Sequence, residues 1–265
     1  MKKRVHNLSA AIFAIIITVN FLSWTQIPKQ SRSFYQLTVY HYTDGSQEKV
    51  LDNYLQNALL PALHRMHIKN VGVFKAIAND TSALKTLYVF ISLKSPGETT
   101  KISSTLDADE AYQNAGAEYI NAVYDTPPYS RMETILLKAF PLTPQMELPN
   151  LKADKKDRVY ELRSYESATE KLHRSKVRMF NEGGEISIFK RLNFNPVFFG
   201  SVISGNKMPN LMYLTTYENM ADRNAHWKSF SSDSTWRKLS AMPEYQHNVS
   251  HIDDIFLRPT EYSDF

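Results

Sequence analysis

The 265-residue chain contains no cysteine. Disulfides, thiolate catalysis, thiolate-rich zinc sites and lipid attachment through cysteine are therefore excluded. A dominant charge is also missing. The formal net charge is +4, and setting aside Lys2, Lys3 and Arg4 leaves 28 basic against 27 acidic residues, or +1. So neutral a chain lacks the basic face that phosphate backbones require, and no basic tract is interleaved with aromatics, so no nucleic-acid partner is expected. Glycine-rich phosphate loops, a GxGxxG fingerprint and a GxSxG elbow are absent too, and Gly183-Gly184 stands isolated. Phosphoryl transfer, hydride transfer and serine hydrolysis lose their usual signatures.

The N-terminus has no apolar run long enough for a comfortable membrane span, which needs about 20 residues. Residues 8–22 are apolar except for Ser9, Thr18 and Asn20, and they follow Lys2, Lys3 and Arg4. A basic start before a short apolar stretch is the anatomy of an export signal. Residues 1–26 are expected to be a signal peptide or an uncleaved N-terminal membrane anchor. The protein is then periplasmic or extracellular, touching a membrane only through that anchor. The nearest cleavage candidate is Ser23-Trp24-Thr25.

What remains is globular, with 43% hydrophobic and 22% charged residues and length enough for two cores. Residues 159–165 alternate, with Tyr160, Leu162 and Ser164 on one face and Val159, Glu161, Arg163 and Tyr165 on the other. That pattern predicts a strand with one plain and one chemically loaded face. Residues 35–40 superpose on it, matching Tyr35 to Tyr160, Leu37 to Leu162 and Tyr40 to Tyr165. The likeness continues with Arg65-Met66 against Arg191-Leu192, Val71 against Val197 and Tyr88 against Tyr213. In the closing strands Ser130, Ile135 and Leu137 match Ser250, Ile255 and Leu257.

Around these matches the first half predicts strand 33–42, a turn at Asp44-Gly45, and helix 47–66 bent or ended by Pro61. Strands 71–78 and 84–93, helix 103–122 opened by Ser103 or Ser104, and strand 132–140 complete it. The second half predicts strand 158–165, helix 169–192 interrupted at Gly183-Gly184, strands 196–204 and 211–217, helix 219–240 broken near 231–234, and strand 249–257. Each half is β-α-β-β-α-β, and a repeat this long is a duplicated domain. The predicted fold is α+β, with tandem ferredoxin-like repeats forming an intramolecular dimeric α/β barrel. The domains are residues 33–140 and 158–260, joined by a proline-rich linker at 141–157.

Several second-half motifs carry a family likeness. Tyr160-Glu-Leu-Arg-Ser-Tyr165, Pro196-Val-Phe-Phe-Gly200, Pro209-Asn-Leu-Met-Tyr213, Trp227-x-x-Phe230, Asp233-x-x-Trp236 and Leu257-Arg-Pro259 resemble NIPSNAP domains. The first half resembles them weakly: Thr38 replaces Arg163, and Tyr112 stands where Trp236 would be. The resemblance implies a dimeric α/β barrel. Family members are described as interaction proteins with poorly assigned biochemistry, and relatives sharing the barrel include haem- and quinone-acting oxygenases.

Two functional readings stay open. One is an exported module that binds a protein partner or small apolar ligand and that associates further as a homo-oligomer. The other is a barrel-type oxygenase holding an apolar or aromatic ligand, or haem, between helices and sheet. Candidate ligand-binding residues are Glu161, Arg163 and Tyr165, which share a strand face, with His226 and Trp236 from the second helix. The arginine suits a carboxylate in fork geometry, while a packed charge pair explains the same residues plainly. Trp227, Phe230 and Met220 at helical spacing suit a core. His41 is the candidate axial haem ligand. His64 and His67 have metal-permitting spacing but no third ligand nearby, so no metal is expected.

Overall fold

In the computed structural model, which describes residues 31–265, two four-stranded sheets close on one another edge to edge. The expected signal or anchor at residues 1–26 lies outside the described residues. The first repeat supplies β1 (Phe34–Tyr42), β2 (Gly72–Ala76), β3 (Lys85–Leu93) and β4 (Arg131–Ala139). The second supplies β5 (Val159–Glu166), β6 (Phe198–Ser204), β7 (Asn210–Tyr217) and β8 (His251–Pro259). The strands form one antiparallel barrel in the order β1-β3-β2-β8-β5-β7-β6-β4. A single ferredoxin-like sheet would leave two edges with unpaired backbone groups. Here β2 pairs with β8 from Phe74↔Pro259 to Ala76↔Leu257, and β4 pairs with β6 from Leu136↔Ser204 to Ala139↔Gly200.

The pleat sorts side chains into three cores. Tyr35, Leu37 and Val39 of β1 and Tyr160 and Leu162 of β5 point into the barrel, where Phe90 stacks on Phe198 of the other repeat at 4.8 Å. Tyr40 and Tyr42 point outward beneath the first repeat's helices, as Val159 and Tyr165 do in the second. Burying both sheet faces is what the duplication achieves.

The helices correct the expected boundaries. The first is α1 (Gly45–Tyr54), a π turn over Leu55–Leu59, and α2 (Leu60–Arg65). Pro61 lacks an N–H and would crowd the carbonyl four residues back; the wider turn, closed by Leu60 N–H on the Leu55 carbonyl, makes room for it. Asp44-Gly45 is no free turn, because Asp44 Oδ1 accepts from the Ser46 and Gln47 amides at 2.9 Å and caps α1. The second helix begins at Glu98, not at Ser103. It divides into α3 (Glu98–Asp107), α4 (Glu110–Ala115) and α5 (Ala117–Ile120), and Asp109 caps α4. Ser104 sits inside α3, its hydroxyl donating to the Lys101 carbonyl. In the second repeat α6 (Glu170–Asn181) and α7 (Glu185–Arg191) flank Gly183-Gly184, while α8 (Met220–Ser232) and α9 (Ser234–Ser240) meet at Asp233.

Equivalent contacts recur. Asp109 caps at the Tyr112 amide and pairs with Arg65; Asp233 caps at the Trp236 amide and pairs with Arg191 at 2.9 Å. One expected match fails. Thr38 pairs with Val89, and Arg163 pairs with Tyr213, so Tyr213 corresponds to Val89. Tyr88 faces the barrel interior and Tyr213 the helices, because a one-residue slip in a strand changes faces. The 141–157 segment has no helix or strand but is tied down. Pro144 accepts from the Ser33 amide at 2.8 Å, the Glu147 amide donates to Val197, and Met146 and Leu151 pack on the barrel core.

Candidate functional site

The loaded face of β5 is the most charged buried region of the second repeat. Glu161 is fully buried and its carboxylate accepts four hydrogen bonds. Arg223 of α8 donates from Nη2 to Oε1 at 2.6 Å and from Nε to Oε2 at 3.0 Å. Arg163 Nη1 donates to Oε1 at 3.0 Å and Trp227 Nε1 to Oε2 at 2.6 Å. The Arg223 fork is the bidentate geometry that makes arginine–carboxylate pairs strong. Asp254, opposite Arg163 on β8, completes the group at 3.2 Å from Arg223.

Burial alone would raise the Glu161 carboxyl, but the donors from Arg223 and Trp227 hold it below the usual range. Burial, and after it the Glu161 carboxylate, push Asp254 up to about 6. The Arg163 guanidinium lies 4.4 Å from the Trp227 ring and 5.5 Å from the Tyr165 ring. Tyr165 and Tyr213 share a hydroxyl–hydroxyl bond of 2.9 Å, and burial first raises both phenols, Tyr165 to about 12. Behind them Lys176 and Glu185 form a buried pair at 2.8 Å.

Glu161, Arg163 and Tyr165 thus come together, as one strand face requires. His226 does not join them: its Nδ1 bonds the Asp222 carbonyl at 2.8 Å, and its ring packs on Phe194 and Tyr217. Trp236 lies on Phe230 at 4.5 Å, with Lys176 Nζ 5.7 Å from its ring. Asp254, Lys176, Glu185 and Tyr213 were missed. Asp253-Asp254 interrupting an apolar strand was the available signal for the first of them.

The principal cavities lie elsewhere. Register identifies the positions equivalent to the charged cluster: Gln36 for Glu161, Thr38 for Arg163, Val89 for Tyr213 and Thr134 for Asp254. There the first repeat has neutral and smaller side chains, and a cavity of about 240 Å³ opens between sheet and helices. Its floor carries all four, its far wall is Leu59, Leu63, Ile102 and Leu106, and it opens beside exposed Met132 and Ser103. Tyr40 and Tyr54 line it. Burial first pushes Tyr40 up to about 12, and Tyr54 is raised for the same reason, so both are neutral phenols. Tyr119 stacks flat on Tyr54 at 3.7 Å behind them.

Haem does not fit either location considered for it. His41 lies at the barrel mouth with Nε2 bonded to Glu133 at 2.7 Å, beside a cavity of about 150 Å³. The 240 Å³ cavity has no histidine in its wall. His64 bonds Asp264 at 2.8 Å, while His67 lies past the end of α2 with φ 62°, so the two imidazoles are not a pair on one helix.

Residues 160–264 match the NIPSNAP family model. That match spans the second repeat. No curated protein matches the chain at a significant level. Among solved structures, a Lactobacillus acidophilus protein described as a candidate monooxygenase shares 11% identity over 86% of this chain and 94% of its own, with a TM-score of 0.55. A similarly described Fusobacterium nucleatum protein shares 10% identity over 87% and 93%, with a TM-score of 0.52. A NIPSNAP-like domain protein from Burkholderia xenovorans is 18% identical over 41% of this chain and 90% of its own, with a TM-score of 0.37. At such identities the first two likenesses concern the barrel fold, which spans both repeats. The repeat that matches the NIPSNAP model holds the charged cluster, and the cavity belongs to the other repeat.

Proposed function

We propose that this NIPSNAP-domain protein is an exported or N-terminally tethered binding module whose first repeat holds a small, neutral, mainly apolar molecule. The observation that carries the reading is the exchange at registered positions. Where the second repeat fills the helix–sheet space with Glu161, Arg163, Tyr213 and Asp254, the first leaves about 240 Å³ beneath Gln36, Thr38, Val89 and Thr134. Sites for drug-sized ligands run to roughly 300–1,000 Å³, so the occupant is smaller, of the order of a substituted aromatic ring or small quinone. An apolar wall with a few polar groups favours burial of such a ligand and orients it through hydrogen bonds. Export rests on Lys2, Lys3, Arg4 and the apolar run after them. The mass of the mature chain tests it.

Val89→Phe fills the floor, and Ser103→Trp blocks the exposed rim. Each is expected to weaken binding of a small quinone at least tenfold while leaving the circular dichroism of the fold intact. Unchanged binding in both variants would sink the assignment. The alternative reading, an oxidative enzyme using the same cavity, is favoured by its two phenols and by the monooxygenase descriptions of the two barrel relatives. Uptake of dioxygen in the presence of a small quinol, abolished by Tyr40→Phe, would establish it over simple binding.

A further inference from the structure

The mouth of the barrel presents a group of titratable side chains, on the interior face and separate from the helix–sheet cavity. Glu166 ends β5 and faces His251 on β8 in the ladder, and Asp253 follows two residues on, on the same face. One ligand atom from each of these three residues can be chosen so that all lie within 4.8 Å of one another. An imidazole with two carboxylates is a donor set for first-row divalent ions. Asp253 already orients the histidine, its Oδ1 3.2 Å from His251 Nε2.

Acidic clusters are common, and a second observation singles this one out. Asn210 stands opposite Glu166 on the other side of β5 and is 3% exposed. Its Nδ2 donates to Ser164 Oγ at 2.9 Å, but its Oδ1 has no partner among the described residues. Asn210 lines the mouth cavity of about 150 Å³ together with Ser164, Lys207 and Asp253. A buried acceptor without a donor is costly, and a water held by a metal ion is a donor of the kind it lacks. The place of the cation is taken by Lys207, whose Nζ is 2.6 Å from Asp253 Oδ2 and 3.9 Å from Glu166 Oε1. Lys207 sits on the β6–β7 turn and is about half exposed, so its flexible stem can swing into solvent.

We propose that Glu166, His251 and Asp253 bind a divalent transition-metal ion, with Zn²⁺ as the best match, in exchange for the Lys207 ammonium, and with Asn210 Oδ1 accepting from a metal-bound water. The nitrogen ligand favours Zn²⁺ over Mg²⁺, which prefers an all-oxygen shell. Sequence spacing hides the site, because its residues come from the first and last strands of the second repeat, which meet only when its sheet forms.

Calorimetric titration of the full chain with Zn²⁺ tests this. One equivalent should bind, with Mg²⁺ far weaker. His251→Ala and Asp253→Asn should each lower Zn²⁺ affinity by more than the ~10–100-fold typical of losing an outer-shell partner. Lys207→Met, which removes the competing cation, should raise affinity severalfold, and His64→Ala should leave it unchanged. The proposal is overturned if neither the wild type nor Lys207→Met binds Zn²⁺, if His251→Ala binds as the wild type does, or if Lys207→Met binds more weakly. Thermal melts of each variant without metal separate loss of the ligand from loss of the fold.

Discussion

Arg163 and Thr38 occupy one place in the two repeats, and the contrast explains why one outer face is filled and the other hollow. Arg163 demands a carboxylate, and Glu161 and Asp254 answer it within a buried cluster that Arg223 closes. The arrangement leaves a pH signature. The Asp254 carboxyl, at about 6 in the folded protein against an ordinary 3.8, binds its proton more tightly folded than unfolded. Its contribution to stability is therefore full below about pH 4 and is lost as pH rises through 6. After discounting for partial exposure, about 1–2 kcal/mol is at stake. Urea denaturation should show Asp254→Asn gaining on the wild type by that amount between pH 4 and 7, and a constant difference would refute the assignment. At this scale the sequence was partly legible. Alternation put Glu161, Arg163 and Tyr165 on one face, but Arg223 and Asp254 reach them only through tertiary packing. The cavity's signal, Thr38 in place of an arginine, was visible as a difference between the repeats, with no way to know that space would result.

Element order survives from sequence to structure almost unchanged, and the departures have local causes. The break between α6 and α7 is marked by two glycines needed for different reasons. A Cβ on Gly183 would lie 2.6 Å from the Met179 carbonyl oxygen, whereas Gly184 has open space but φ of 89°. Gly184→Ala should cost about 1–2 kcal/mol for the left-handed backbone. Gly183→Ala should cost about 1–3 kcal/mol, the range for overpacking, because the clash is with backbone that cannot rotate away. Chemical denaturation of the two variants checks both, and a neutral Gly183→Ala would contradict the packing described. Helix periodicity located the first helix but not its π turn, since the pattern of buried residues hardly registers one extra residue per turn. The second helix starts five residues before Ser103 because α3 opens after Gly97 without a capping side chain, so the cap signal at Ser103 and Ser104 misleads; Asp109 caps α4. Strand register across 125 residues was set correctly at β1 and β5 and slipped by one at Tyr88, where two tyrosines on opposite faces invited a false match.

The whole molecule closes its own barrel, so each repeat serves as the other's partner and is free to diverge on its outer face. That division places a buried charged cluster on the outer face of the second repeat and, on the proposed function, the ligand cavity on that of the first. Chemical-shift mapping with a small quinone such as 1,4-naphthoquinone tests the division directly. The account predicts shifts concentrated at Thr38, Val89, Ile102 and Leu106, and none at Glu161, Arg163 or Trp227. Shifts centred on the second set, or none anywhere at millimolar probe, would contradict it.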